Sequence, residues 1–356
     1  MSQTLKRNTA LDILRVIACY LVIQVHVGEF FYIGESGSVI SGDNAFWVNL
    51  YNSIGRTAVP LFVMITGYFL LPVQTGMTLF FKKRFTRVLI PFVVWCILYA
   101  LFKFVTGETD MGTTFTNILK IPINFGVEVG HLWYVYMLIG IYLFAPIISP
   151  WIKSASKRGI QFYLCIWAVT LCLPYIHAVF PEVWGECFWN NTPMLYYFSG
   201  LLGYAILGYY IKAHLSISKA WSNTTGLILI IIGYGITFGG FHALLDSSKY
   251  VWELELTWGY GTINVAIMAL GIFLIIKNLQ IDPEKTYTKL ITDISLKSYG
   301  IYLAHIMILL IIQPYINKLL PNAISAVPIT SIITFIASYL VIKALSYLPK
   351  SKYIIG

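Results

Sequence analysis

The stretch LDILRVIACYLVIQVHVGEFF, Leu11 to Phe31, decides the fold. It is apolar enough and long enough to cross a ~30 Å hydrocarbon core as a helix, which takes about 20 residues. Yet it carries Asp12, Arg15, Gln24, His26 and Glu29. Each of these is costly facing lipid, so five in one span call for a wet interior lined by protein. On a helix, the eleven steps from Arg15 to His26 make three turns plus about 20°, so both project from nearly one face, about 16 Å apart along the axis. Asp12 and Glu29 lie three residues from Arg15 and His26, the spacing at which helical side chains meet. Arg15 taken alone could snorkel to the headgroups, and His26 alone could bond a carbonyl. Together they predict a line of polar groups along a path through the membrane.

The rest of the chain agrees. Its 356 residues are 58% hydrophobic and 11% charged, with mean hydropathy +0.75. So few charges cannot cover a soluble domain of this size. Repeated apolar runs predict an all-α integral membrane protein of about ten transmembrane helices around a polar cavity. The spans are expected near 10–33, 45–71, 88–106, 131–151, 160–180, 194–211, 224–245, 256–276, 298–316 and 327–348. The second is over-long and opens on polar residues, so its start is expected in the interface or in a bent segment. No soluble domain, repeat or low-complexity segment interrupts the pattern, and residues 1–356 read as a single polytopic domain.

Net charge is +9, but the cations fall in short clusters between apolar runs. That is the positive-inside pattern and marks topology, with no nucleic-acid partner. Of the 24 Lys and Arg, 18 fall on one side of the alternating spans and 4 on the other, with Arg15 and Arg56 inside spans. The bias predicts that both termini are cytoplasmic. Lys6 and Arg7 precede an apolar run as in a signal peptide, but no small-residue cleavage site follows, so the segment is expected to be retained. Cys19, Cys96, Cys165, Cys172 and Cys187 show neither pairing nor metal-ligand spacing and read as packing residues; no metal is expected.

Four other segments carry chemistry. KKRFTRVLIPF, Lys82 to Phe92, places Arg84 and Arg87 on one helix face, either as ordinary cytoplasmic anchors or as a clamp of paired guanidinium forks for phosphate. GRTAVPLFVMITGYFLL, Gly55 to Leu71, holds Arg56 ahead of Pro60, which is expected to bend the helix and free a carbonyl beside a cavity. There Arg56 could snorkel or hold an oxyanionic group. VGHLWYVYMLIG, Val129 to Gly140, brings His131, Trp133 and Tyr134 into the interface, where an aromatic belt is the default explanation of Trp and Tyr. LKSYGIYLAHIMILL, Leu296 to Leu310, buries His305, another rare intramembrane titratable group.

In combination and in this order, these segments resemble the membrane acyltransferase-3 family. The likeness rests on Arg15 and His26 with ten residues between them, Arg56-T-A-V-P-L-F with T-G-Y-F, Arg84-F-T-Arg87, H-L-W-Y and G-I-Y-L-A-H. It extends over nearly the whole chain and is nearest to the surface-polysaccharide O-acyltransferase branch, which includes enterobacterial common antigen O-acetyltransferase. Thr66 stands where that family commonly has serine. The resemblance implies a bacterial inner-membrane enzyme that moves an acyl group, usually acetyl, from acyl-CoA to a hydroxyl of a surface glycan or lipid-linked sugar. It implies that Arg84 and Arg87, with Arg15, hold the CoA phosphates, and that His26 is the general base. Arg56 or His131 would then stabilise the tetrahedral oxyanion. With no serine or cysteine suited to an acyl-enzyme in the first span, direct transfer is expected. The rival reading is a transporter of a glycan or small anion, although no inverted pair of broken helices is evident.

Overall fold

The structure, a computed structural model, describes residues 7–124, 130–183, 185–187 and 190–356; Lys6 and Val129 lie outside them. Helix α1 runs Thr9–Tyr32, started by the Asn8 side chain, which accepts from the Leu11 amide at 3.2 Å. Its 24 residues are enough to cross the hydrocarbon core. The following helices are α2 (Asp43–Gly55), α3 (Ala58–Leu70), α4 (Met77–Val105), α5 (Met111–Asn124), α6 (Trp133–Ser154), α7 (Lys157–Thr170) and α8 (Leu173–Val179). After them come α9 (Leu202–Ala213), α10 (Lys219–Leu244), α11 (Val251–Leu254), α12 (Ile263–Ile276), α13 (Thr286–Leu319), α14 (Ala323–Leu345) and α15 (Lys352–Ile355). One small antiparallel pair, Gly185–Cys187 with Asn190–Pro193, is the sheet among the described residues. This is an all-α integral membrane protein.

Ten spans are expected, and fewer helices pass on length and composition alone. Eight helical stretches among the described residues are long and apolar enough to cross a membrane, or nine if Val251–Trp258 and Ile263–Ile276, bent by 43°, form one span. The expected sixth span is reduced to α9, whose 12 residues rise about 18 Å, well short of the core thickness. The expected second span breaks into α2 and α3 at Arg56 and Thr57. Pro60 sits in the first turn of α3 and has no amide to donate to the Arg56 carbonyl four residues back, at the break. Helix α4 begins eleven residues before the expected start of the third span, so Arg84 and Arg87 are helical.

Burial tells centre from rim. In the apolar windows of α1 and of Asp43–Leu70, 67% and 72% of residues are buried, against 17% for α10. Helix α1 is the central post, packed on α2, α3, α13 and α14. The α10 face turned outward is Ile228, Ile231, Ile232 and Ile236, all exposed and suited to lipid. Helices α3 and α9 cross closely through glycine. A Cβ at Gly67 would lie 1.9 Å from the Ala205 carbonyl oxygen, and one at Gly208 would lie 2.0 Å from that of Met64. Without large apolar surfaces to drive them together in lipid, helices associate through such close backbone packing. The glycine of the T-G-Y-F segment therefore has a packing task.

Candidate active site

Two cavities enter the bundle from opposite ends of α1 and α4. The first, of about 650 Å³, is lined by Arg7, Arg15, Arg84, Arg87 and Lys212, with Asp12 among them. The second, a cleft of about 550 Å³, is lined by His26, Glu29, Arg56, His131, Trp133 and Tyr260. A void of about 20 Å³ lies between the two. It shares Tyr134 and Tyr302 with the basic chamber and His26, His131 and Trp133 with the cleft. The rings of Tyr134 and Tyr302 pack edge to face, 5.3 Å apart. The expected path is thus present as two chambers that nearly meet.

The basic chamber gathers most of the expected cations. Asp12 binds Arg7 through Nε at 2.5 Å and Nη2 at 2.9 Å, and accepts from Ser295 Oγ at 2.6 Å. Arg15 donates to the same Ser295 hydroxyl at 3.2 Å and lies 3.8 Å from Asp12. Asp12 is therefore as much a partner of Arg7 as of Arg15. Arg84 lies over Phe80 and Tyr142, and Lys212 over Tyr68. Arg15, Arg84, Arg87 and Lys212 all line a space containing one acidic side chain, an arrangement suited to a polyanion. Arg7 and Lys212 read in the sequence as topology signals, and nothing in their spacing marks them as chamber residues.

Three histidines from three elements meet at the inner end of the cleft. His26 comes from α1, His131 from the 3₁₀ turn Gly130–Leu132 that precedes α6, and His305 from α13. Ring centroids are 6.2 Å apart for His26 and His131, 5.4 Å for His26 and His305, and 5.0 Å for His131 and His305. Nδ1 of His26 lies 3.0 Å from each oxygen of Glu29. Donation from Nδ1 to the carboxylate leaves Nε2 as the basic nitrogen. His305 Nδ1 lies 2.5 Å from the Tyr302 carbonyl, while its Nε2 is buried with no hydrogen-bond partner. His131 is 5% exposed, and both its ring nitrogens lack a partner of normal geometry. Its backbone carbonyl accepts from the Tyr302 hydroxyl. The described His, Cys, Asp and Glu side chains form no group of three spaced to hold a metal ion.

Arg56 lines the cleft but is already engaged. Its Nη2 donates to Glu255 at 3.2 Å and to the Tyr32 hydroxyl at 3.3 Å, and its guanidinium lies 4.1 Å from the Trp258 ring centroid. Tyr32 in turn donates to Glu255. Arg56 does not snorkel; it is buried in a three-way polar lock stacked on an indole. Trp133 stacks on Tyr260 with centroids 5.6 Å apart and an angle of 25°, forming an aromatic wall of the cleft. Trp133 and Tyr134 serve the two cavities as lining residues.

Sequence reading missed Tyr302, Ser295, Glu255, Tyr142 and Tyr260. Two signals were available: Ser295, Ser298, Tyr302 and His305 recur at steps of three and four, Tyr134, Leu138 and Tyr142 at steps of four, and all but His305 line a cavity. No curated protein and no solved structure matches the chain. The acyltransferase domain of the acyltransferase-3 family does match, over residues 8–343, a span that takes in the cleft, all three histidines and the lining of the basic chamber apart from Arg7 and Gly356. The chain belongs to that family, and it is a membrane acyltransferase.

Proposed function

We propose that the protein transfers an acyl group, acetyl in the first instance, from acyl-CoA to a hydroxyl of a cell-surface polysaccharide or lipid-linked glycan precursor. The observation that carries this reading is the position of His26, which borders both the cleft and the small void adjoining the basic chamber. The basic chamber takes the CoA phosphates, with Arg84, Arg87 and Arg15 as guanidinium forks and Lys212 as a point charge. It faces the cytoplasm of a bacterial inner membrane, an orientation favoured by the 18-to-4 charge bias, with both termini on that side. The acceptor sugar enters the cleft, where Trp133 and Tyr260 offer an aromatic face.

His26 Nε2 takes the proton from the acceptor hydroxyl as its oxygen attacks the thioester carbonyl carbon. The C–O bond forms, the C–S bond breaks, and the proton passes from His26 to the departing CoA sulfur. No acyl-enzyme is formed. The negative charge on the tetrahedral oxygen falls beside His131, whose ring nitrogens have no partner of normal geometry and can supply one hydrogen bond in a water-poor site. Arg56 contributes through the field of its locked guanidinium.

The test is transfer of label from [¹⁴C]acetyl-CoA to membrane glycan by the purified protein in lipid nanodiscs. Transfer by wild type and its loss in His26→Ala, with CoA binding retained, supports the reading; undiminished transfer by His26→Ala removes His26 as the base. Uptake of labelled glycan into CoA-free vesicles would favour the transporter instead.

A further inference from the structure

We infer that Val22, Val25, Ala58 and Val59 form the acyl pocket and set the length of the acyl chain that can be transferred. The inference rests on the acyl-CoA reading above and adds the residues that choose among donors. These four side chains are the aliphatic part of the wall of the void between the chambers, which His26, His131, Trp133 and three tyrosines also line. The void measures about 20 Å³. A space of roughly 10–15 Å³ holds one water-sized body, so this one has room for about one methyl group. All four wall residues are buried, Ala58 to 1% exposure.

An acyl group whose carbonyl carbon lies within reach of His26 must direct its tail somewhere. The pantetheine arm reaches the void from the basic chamber, past Tyr134 and Tyr302, and the acceptor reaches it from the cleft, beside Trp133 and Tyr260. The tail is left to turn against the aliphatic part of the lining, where the space fits the methyl of acetyl. Propionyl overfills it by one methylene. Succinyl overfills it by a methylene and a carboxylate, and taking that charge out of water into so small a space strongly disfavours it.

The wall is braced against yielding. Ala58 and Val59 form the first turn of α3, immediately after the break held by the Arg56 lock. The Asn52 amide donates to the Val25 carbonyl at 3.1 Å, and a Cβ at Gly55 would come within 2.7 Å of Val25 Cγ2. Gly55 thus leaves just enough space for Val25 to stand where it does. Packed interiors resist even one added methylene.

The experiment measures CoA thiol release by the full chain in nanodiscs, with acetyl-, propionyl-, butyryl- and succinyl-CoA as donors and native membrane glycan as acceptor. Wild type should prefer acetyl over propionyl by about tenfold or more in kcat/KM, the discrimination typical of one methylene in a fitted pocket. Equal use of butyryl- or succinyl-CoA by wild type overturns the proposal without any variant. Val59→Ala should raise the propionyl-to-acetyl ratio about tenfold; an unchanged ratio in a protein with wild-type thermal unfolding overturns it. Ala58→Val should abolish acetyl turnover while CoA binding by calorimetry persists, and undiminished acetyl turnover counts against the pocket. CoA binding with selective turnover supports both readings. Failure of CoA to bind, with no turnover of any donor, removes the acyl-CoA reading itself and this inference with it.

Discussion

Nδ1 of His26 lies 3.0 Å from both carboxylate oxygens of Glu29, one helical turn further along α1. A carboxylate held this way fixes which ring nitrogen carries the proton and leaves the opposite one to act as base. His26→Ala is therefore expected to lower the transfer rate by about 10²–10⁴-fold, the usual contribution of a positioned general base, with little change in CoA affinity. Glu29→Gln, which keeps the shape but loses the charge, should lower kcat by less than His26→Ala and leave the KM for acyl-CoA unchanged. Single-turnover kinetics in nanodiscs separates the two, and a Glu29→Gln enzyme with normal kcat shows that the contact has no catalytic effect.

Arg84→Ala and Arg87→Ala should each weaken CoA binding by roughly tenfold or more, since a charge-assisted hydrogen bond contributes about 1.5–3 kcal/mol. Lys212→Ala should follow in the same direction with a smaller loss, because lysine offers one point charge where arginine offers a fork. Calorimetric titration with CoA, and with CoA lacking its 3′-phosphate, reads both. Equal affinities across the series would place the phosphates elsewhere.

Arg56→Ala leaves Glu255 without its cation next to the buried Tyr32 hydroxyl. Removing one partner of a buried pair costs about 3–5 kcal/mol, and here the half-exposed Glu255 should keep the loss at or below the lower end. Arg56→Lys should recover only part of it, because an ammonium cannot both stack on Trp258 and reach two acceptors. Thermal unfolding in detergent checks this. An Arg56→Ala protein that melts normally and has lost activity would transfer Arg56 from architecture to chemistry.

Gly67→Ala should separate α3 from α9, since its new methyl would collide with backbone at Ala205. Overpacking of this kind costs about 1–3 kcal/mol or more. Lower expression and an earlier unfolding transition are expected, while Gly140→Ala, at a position open to space, should be silent. Matching melting curves for the two variants would show that the helices give way more easily than the contact suggests.

The single sequence made α1 legible because its evidence is local: polar residues in an apolar run, at spacings that helix geometry converts into a face. Arg84 with Arg87 was legible for the same reason. What escaped was non-local. Arg56 and Glu255 are 199 positions apart, and no periodicity joins them. The break after α2 was half legible: Pro60 marks the Arg56 carbonyl that loses its helical donor, but nothing local shows that the Arg56 side chain is held by Tyr32, Glu255 and Trp258. The shortness of α9 was hidden because aromatic and small residues around Met194–Leu201 are apolar enough to extend a hydropathy window. His131 looked like an interfacial residue until α13 packed over it and buried it.

The edge-to-face rings of Tyr134 and Tyr302 are also the insulation of the bilayer at this point. With chambers entering from either end, the electrical barrier normally spread over ~30 Å of hydrocarbon is concentrated in the residues around the small void between them, these two rings among them. A cell carrying smaller residues at both positions would be expected to leak protons and small ions through its own acyltransferase, so the size of these rings is under a constraint unrelated to the reaction they flank.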